Sequence, residues 1–346
     1  MSRIAVIAGD GVGREVVPAA VRAARAAAGE RLEWTEFDWN ADYFLRHGAA
    51  MPPDGLEQLR RFDAILFGAV GDPRIGTHEY AAGLLLKMRF GLDLYANLRP
   101  VRPLDDRLCP LRGIRGDEID FVVLRENTEG AYAGIGGNFK SGRSEEVAIE
   151  LDLNTRLGVE RIQRLAFETA RQRPRRRLVM ADKSNAMPHA HGLWLRVFRE
   201  LRPQYPEVEA GHLYADALAY QMVRDPRQFD VIVTSNLFGD LLTDLAAALQ
   251  GGLGMAASAN LHPGRLGLFE PVHGSAPDIA GRNRANPLGA ILSAALMLDF
   301  LGLGEAARQI EAAAAAAVRE GVTTPDLGGN WGTMECAAWI EKRLRA

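Results

Sequence analysis

Short apolar runs alternate with amphipathic stretches along most of the chain. Ile4-Ala5-Val6-Ile7-Ala8, Ala64-Ile65-Leu66-Phe67, Phe121-Val122-Val123-Leu124, Leu178-Val179-Met180 and Val231-Ile232-Val233-Thr234 are the clearest of these runs. Such β-branched and aliphatic runs read as strands buried on both faces, the mark of a parallel sheet covered by helices. Helical patterns lie between them, the first from about Arg14 to Ala28. The expected class is α/β. Two stretches break the rhythm. From Tyr132 to about Arg156 glycine and polar residues dominate, with the alternation Val147-Ala148-Ile149-Glu150-Leu151, which predicts a hairpin or an extended arm. The alanine-rich stretch from Glu305 to Val318 predicts a helix with a close-packing surface.

Composition narrows the class without naming a function. A chain of 346 residues makes one large or two modest domains, and 47% hydrophobic with 25% charged residues is the balance of an ordinary soluble protein. The two cysteines, Cys109 and Cys336, are far apart and lack metal-ligand spacing, as expected of a cytoplasmic protein in a reducing compartment. No basic-then-apolar leader opens the sequence, and no apolar run approaches the roughly 20 residues of a membrane span. A net charge of -3 gives no drive toward nucleic acid or anionic membrane. The cluster Arg171, Arg173, Arg175, Arg176 and Arg177 reads as a solvated helix end and turn around Pro174, since no aromatic residues interleave the charges.

The first strand runs into Gly9-Asp10-Gly11-Val12-Gly13, which invites a dinucleotide-binding reading. That fingerprint needs glycines at relative positions one, three and six, but the sixth position here is Arg14. A standard Rossmann site is therefore not expected, and any nucleotide must be held another way.

Four groups of residues could carry chemistry. Asp240 and Asp244 stand four apart in NLFGDLLTDLAAAL, on one face of a predicted helix. They suit a hard divalent cation, although the pair taken alone fits a solvated helix face better; Asp216 could complete a site from elsewhere. Arg89, Arg99 and Arg125 would suit a dicarboxylic acid if they converge, because guanidinium groups grip carboxylates at two points. Tyr132 and Lys183 are plausible proton-transfer groups near strand ends. The stretch Leu268–Gly281, LFEPVHGSAPDIAG, brackets His273, Ser275 and Asp278 with glycines; histidine offers a stacking face and the carboxylate can accept from both ribose hydroxyls.

Taken together these segments resemble the β-decarboxylating dehydrogenases, the family of isopropylmalate, isocitrate, homoisocitrate and tartrate or D-malate dehydrogenases. GDGVGREV, LDLYANLRPVRP, RENTEGAY, DKSN, SNLFGDLLTDL and LFEPVHGSAPDIAG with Asn286-Pro287 occur in the family's order and cover nearly the whole chain. The resemblance implies an NAD-dependent enzyme that oxidises and decarboxylates a 2-hydroxy acid with Mg²⁺ or Mn²⁺. Arg89, Arg99 and Arg125 would hold the substrate carboxylates. Asp240 and Asp244, with Asp216 from a partner subunit, would hold the metal. Tyr132 would be the general acid and Lys183, also from the partner, the base. His273, Gly274, Ser275, Ala276, Asp278, Ile279 and Asn286 would line the adenosine site.

The resemblance also implies a layout and a substrate. Residues 1–98 with 250–346 would form a nucleotide-binding subdomain, and 99–249 a substrate and dimerisation subdomain whose arm, about 132–156, pairs with its twin in a homodimer. Asp278-Ile279 stands where NADP-dependent relatives carry basic and aromatic residues, so NAD is expected over NADP. Leu85 and Leu86 offer an apolar wall for an isopropyl group, which makes 3-isopropylmalate the expected substrate. D-malate or tartrate comes next, because that branch shares the leucines and this chain carries RENTEG, unlike many bacterial isopropylmalate enzymes; homoisocitrate or isocitrate comes after it. A noncatalytic regulatory subunit predicts lost catalytic side chains, whereas all of them are present.

Overall fold

The computed structural model describes residues 1–76 and 79–346. The chain divides into two compact units: Met1–Leu94, Leu98–Ile119 and Ala246–Ala346 form the first, and Tyr95–Asn97 with Asp120–Leu245 the second.

In the first unit the strands Leu32–Glu36, Ser2–Gly9, Ala64–Ala69, Leu266–Pro271 and Ala257–His262 lie side by side in that order. The first four are parallel, and the fifth runs antiparallel to Leu266–Pro271. Alternate side chains serve two cores, as the pleat requires. Ile4, Val6, Leu66 and Phe269 pack with the helices Gly13–Ala28, Leu288–Phe300 and Gly304–Arg319. Ile7, Ile65, Phe67 and Leu268 face Met51, Leu59, Tyr80 and Leu84 on the other side. The alanine-rich helix buries Ala306, Ala307, Ala313, Ala314 and Ala317, so its small residues do permit close packing.

The stretch 99–119, expected with the middle of the chain, clusters instead with the first unit. Leu104 and Leu108 pack against its helical core, and Arg107 donates to the Val318 carbonyl at 2.6 Å.

The second unit holds Phe121–Glu126, Val231–Thr234, Arg177–Asp182 and Glu209–Tyr214, in that order and all parallel. Helices Arg156–Gln172 and Ala190–Leu201 cover them, with Phe167 stacked on Tyr205 at 4.7 Å between ring centres. The arginine cluster has a structural task here. Arg173 reaches the buried carboxylate of Asp230 at 2.5 Å, and Arg175 donates to the Phe229 carbonyl at 2.5 Å, which fastens the strand starts. The arm is a two-stranded antiparallel ribbon, Gly136–Phe139 with Val147–Glu150, and it exposes Phe139 at 65% and Ile149 at 54%. Among the described residues no helix is long and apolar enough to cross a membrane.

Candidate active site

In the second unit the chemistry-bearing residues stand at or just beyond the carboxyl ends of the four parallel strands, the edge where α/β sheets bind ligands. Arg125 lies in the first strand, Lys183 just follows the third, and Asp216 opens the helix Ala215–Arg224 after the fourth. Asp240 and Asp244 sit on the helix Asn236–Leu249 after the second strand.

Arg125 is 1% exposed, so its charge must be met inside the protein. Its Nε donates to Asn236 Oδ1 at 2.9 Å, and Nη1 pairs with Asp240 Oδ1. The other oxygen of Asp240 accepts from the Tyr132 hydroxyl at 2.8 Å, and the Arg125 guanidinium lies 5.1 Å from the Tyr132 ring centre. Burial, and then the hydrogen bond to Asp240, push the Tyr132 phenol above its ordinary value, so it stays protonated at neutral pH. Gly239 makes this possible: a Cβ there would stand 2.5 Å from Arg125 Cγ and 2.7 Å from its Cβ. The glycine of SNLFGD is thus the gap through which the arginine passes.

The RENTEG segment is mostly scaffold. Glu126, 1% exposed, accepts from Thr128 N, Thr128 Oγ1 and Glu129 N, each at 2.8 Å, and so shapes the turn that delivers Tyr132. Glu129 in turn accepts from Thr155 N at 2.8 Å.

Lys183 forms a separate pair, its Nζ donating to Asp216 Oδ1 at 2.7 Å. That ammonium holds the exposed Asp216 carboxyl below its ordinary value. The Lys183 backbone N–H donates to His191 Nδ1 at 3.0 Å, and His191 Nε2 faces Asp152 at 3.4 Å. His191 is 1% exposed and accepts at Nδ1, which leaves Nε2 to face Asp152. Among the described residues no three His, Cys, Asp or Glu side chains gather closely enough to hold a metal. Asp216 therefore does not meet Asp240 and Asp244 within a single copy. Asp240, partly exposed, and Asp244, exposed, nevertheless offer hard oxygen donors one helical turn apart, a donor set that fits Mg²⁺ or Mn²⁺ in need of further ligands.

The first unit carries the remaining arginines and the proposed nucleotide loop. Arg89 and Arg99 are each 6% exposed. Arg89 donates to Glu270 Oε1 at 2.8 Å, Asn260 donates to the same oxygen at 2.8 Å, and Arg89 Nε lies buried without a partner. Leu85 and Leu86, both half-buried, lie in a widened π-helical turn, Ala82–Leu86. Such turns recur at functional sites, where the extra residue bulges outward.

The loop after Leu266–Pro271 is pinned to its neighbours. Val12 N donates to the Ser275 carbonyl at 2.9 Å, and Gly11, at φ +51°, leaves no room for a Cβ beside Ser275. Ala276 takes φ +39°, a conformation L-residues rarely adopt outside constrained sites. Ile279 packs against the helical core, while Gly274 opens to free space and Asp278 is exposed. His273 Nδ1 lies 2.9 Å from the Gly274 carbonyl, and its Nε2 is buried without a partner. Burial holds that imidazole below its ordinary pKa, so the ring is neutral. An orphaned ring nitrogen, an open glycine and an exposed carboxylate on one pinned loop fit a nucleotide.

Three residues outside the sequence expectation hold segments of the first unit in place, Glu15 at the end of this loop itself. Asp326 accepts from Asn286 Nδ2 at 3.0 Å and from Thr324 Oγ1 at 2.5 Å. Glu15 accepts from the backbone of Gly281 at 2.7 Å and Asn283 at 3.1 Å. Asp10, 1% exposed, accepts from Tyr80 Oη at 2.6 Å, Gly71 N at 2.9 Å and Ala41 N at 2.8 Å. Asp10 was visible in GDGVG, but counting glycines passed over it; Asp326, in an ordinary Pro-Asp turn, gave no signal.

Residues 3–342 match the isocitrate/isopropylmalate dehydrogenase family. The chain belongs to that family. It is 47% identical to a 3-isopropylmalate dehydrogenase of Thermobifida fusca, over 92% of this chain and 91% of that one. It is 46% identical to a decarboxylating D-malate dehydrogenase of Escherichia coli, over 98% of both. The crystal structure of an isocitrate dehydrogenase from Methylococcus capsulatus aligns with a TM-score of 0.92 and 38% identity over the full length of both chains. The protein is thus a decarboxylating dehydrogenase, an oxidoreductase acting on a small hydroxy acid, and its class calls for a nicotinamide cofactor and a divalent metal.

Proposed function

We propose that this enzyme oxidises and decarboxylates 3-isopropylmalate with NAD⁺ and Mg²⁺ or Mn²⁺, a step of leucine biosynthesis, as a cytoplasmic homodimer. The observation that supports the substrate is the half-buried pair Leu85 and Leu86 in the π-helical turn, an apolar surface next in sequence to Arg89. D-malate is the second reading, favoured by a relative of that activity aligned over 98% of the chain. A steady-state NADH assay with Mg²⁺ and a panel of 3-substituted malates separates the two. A kcat/KM higher for D-malate than for 3-isopropylmalate would reject the first reading.

When bound, the nicotinamide would supply the hydride acceptor and the divalent ion a Lewis acid for the substrate's oxygens. The chain supplies the rest. Arg89, Arg99 and Arg125 bind and orient the carboxylates. Asp240 and Asp244 of one copy and Asp216 of a second hold the cation. Lys183, released from Asp216 and reaching the second copy's site, takes the proton of the C2 hydroxyl. The carboxylate β to the new ketone then leaves C3 as CO₂, and Tyr132, kept protonated by burial, returns a proton to C3. His273, Ser275 and Asn286 hold the adenosine, and Asp278 accepts from the ribose hydroxyls while repelling a 2′-phosphate. Lys183→Met abolishes turnover and leaves NADH binding intact; a monomeric enzyme at high dilution is inactive.

A further inference from the structure

The first unit contains a groove of about 420 Å³ that the reaction does not use, between the segment Pro100–Leu104 and the helices Leu288–Phe300 and Gly304–Arg319. Its floor is apolar: Leu104, Met255, Leu292, Leu296 and Ala315 line it. Its rim carries Arg102, Arg308 and Arg319 against a single carboxylate, Glu311. Many arginines of this chain are tied to a carboxylate or a carbonyl. These three guanidinium groups are not: none makes a hydrogen bond or a close ion pair with the described residues. Arg102 and Arg308 act on Glu311 only through space, against the burial that pushes its carboxyl up. The groove thus joins an apolar bed to a rim with more guanidinium groups than carboxylates. The volume is within the range of small-molecule sites.

We propose that this groove is a second ligand site, for a monocarboxylate with an apolar body of about ten carbons. The carboxylate pairs with Arg102 and Arg308, and the apolar body lies on Leu292 and Leu296. Its occupancy reaches the cofactor loop through Met255, a groove residue whose Sδ lies 3.6 Å from Asn286 Nδ2. Asn286 also donates to Asp326, so a shift of Met255 changes a side chain assigned to adenosine. This second half rests on the cofactor reading above; the first does not.

The test uses 4-phenylbutanoate and its uncharged amide as probes on the full-length enzyme, by calorimetry. The carboxylate is expected to bind one per chain, with the amide and the Arg102→Ala/Arg308→Ala double variant each at least about tenfold weaker. Both arginine side chains are on the surface, and their removal leaves the core intact. No binding of the carboxylate overturns the site, and so does equal binding by the double variant, which would place the probe elsewhere. NADH affinity, followed by fluorescence, is expected to change about threefold with saturating probe in the wild type and not in the double variant. An unchanged affinity overturns the coupling. Probe binding without any NADH binding instead sinks the cofactor reading and leaves the groove standing.

Discussion

Gly239→Ala is a single-methyl perturbation that sets two known effects against each other. Glycine inside a helix costs about 1 kcal/mol relative to alanine, so propensity alone makes the variant more stable. Packing points the other way. The new methyl would stand 2.5, 2.7 and 3.0 Å from Cγ, Cβ and Cδ of Arg125, a side chain that is 1% exposed and cannot retreat into solvent. Overpacking of this kind costs about 1–3 kcal/mol. Moving Arg125 also strains its bonds to Asn236 and Asp240, and a hydrogen bond to a charged group is worth about 1.5–3 kcal/mol. The packing terms win, with a net loss of about 2–4 kcal/mol in urea unfolding. Because Arg125 is assigned to a substrate carboxylate, KM rises at least about tenfold while NADH affinity holds. Gly192, in the helix Ala190–Leu201, is the control: a Cβ there meets only the far end of Arg196 at 3.5 Å, so Gly192→Ala is neutral or stabilising. A Gly239→Ala enzyme as stable as wild type with unchanged KM would refute the account of Arg125 threaded past this helix.

Three further outcomes follow from the same reasoning. Glu270→Gln removes the negative partner of the buried Arg89 and costs about 3 kcal/mol of stability, since one charge is left uncompensated; an unfolding midpoint within error of wild type would contradict it. His191→Leu takes away the acceptor of the Lys183 N–H, lowering kcat with little change in NADH affinity, and the kcat of this variant against wild type checks it. His273 has a folded-state pKa below its unfolded value of 6.5, so the unfolded chain binds the proton first and stability falls as pH drops below that value. His273→Asn flattens this dependence below about pH 6.5, measured by thermal unfolding across a pH series.

Which parts of the molecule were legible in the sequence depends on whether the determining contact is local. The strands at Ile4, Ala64, Phe121, Leu178 and Val231 were legible because burial on both faces demands uninterrupted apolar runs. Leu32–Glu36 and Glu209–Tyr214 were not, since each outermost strand mixes exposed polar residues with few buried ones. The antiparallel turn of Ala257–His262 against Leu266–Pro271 was hidden for another reason. The buried polar residues Ser258 and Asn260 break the apolar run of the first of these strands, and only the short loop at Gly264 sets their direction. The arm was legible as alternation, and so was the failed glycine count.

The site divides along the same line. The candidate ligand-facing residues stand in recognisable motifs: Arg125 in RENTEG, Asp240 in NLFGD, His273 in VHGSAPD. The groups that hold them come from far along the chain. Glu270 lies 181 residues from Arg89, and Asn236 lies 111 from Arg125. What a motif cannot express is why its own glycine is there. In NLFGD the glycine reads as a flaw in a helix until Arg125 is seen lying against it. Substituting that glycine therefore tests the placement of a residue 114 positions away, and a purely local helix argument predicts the opposite sign.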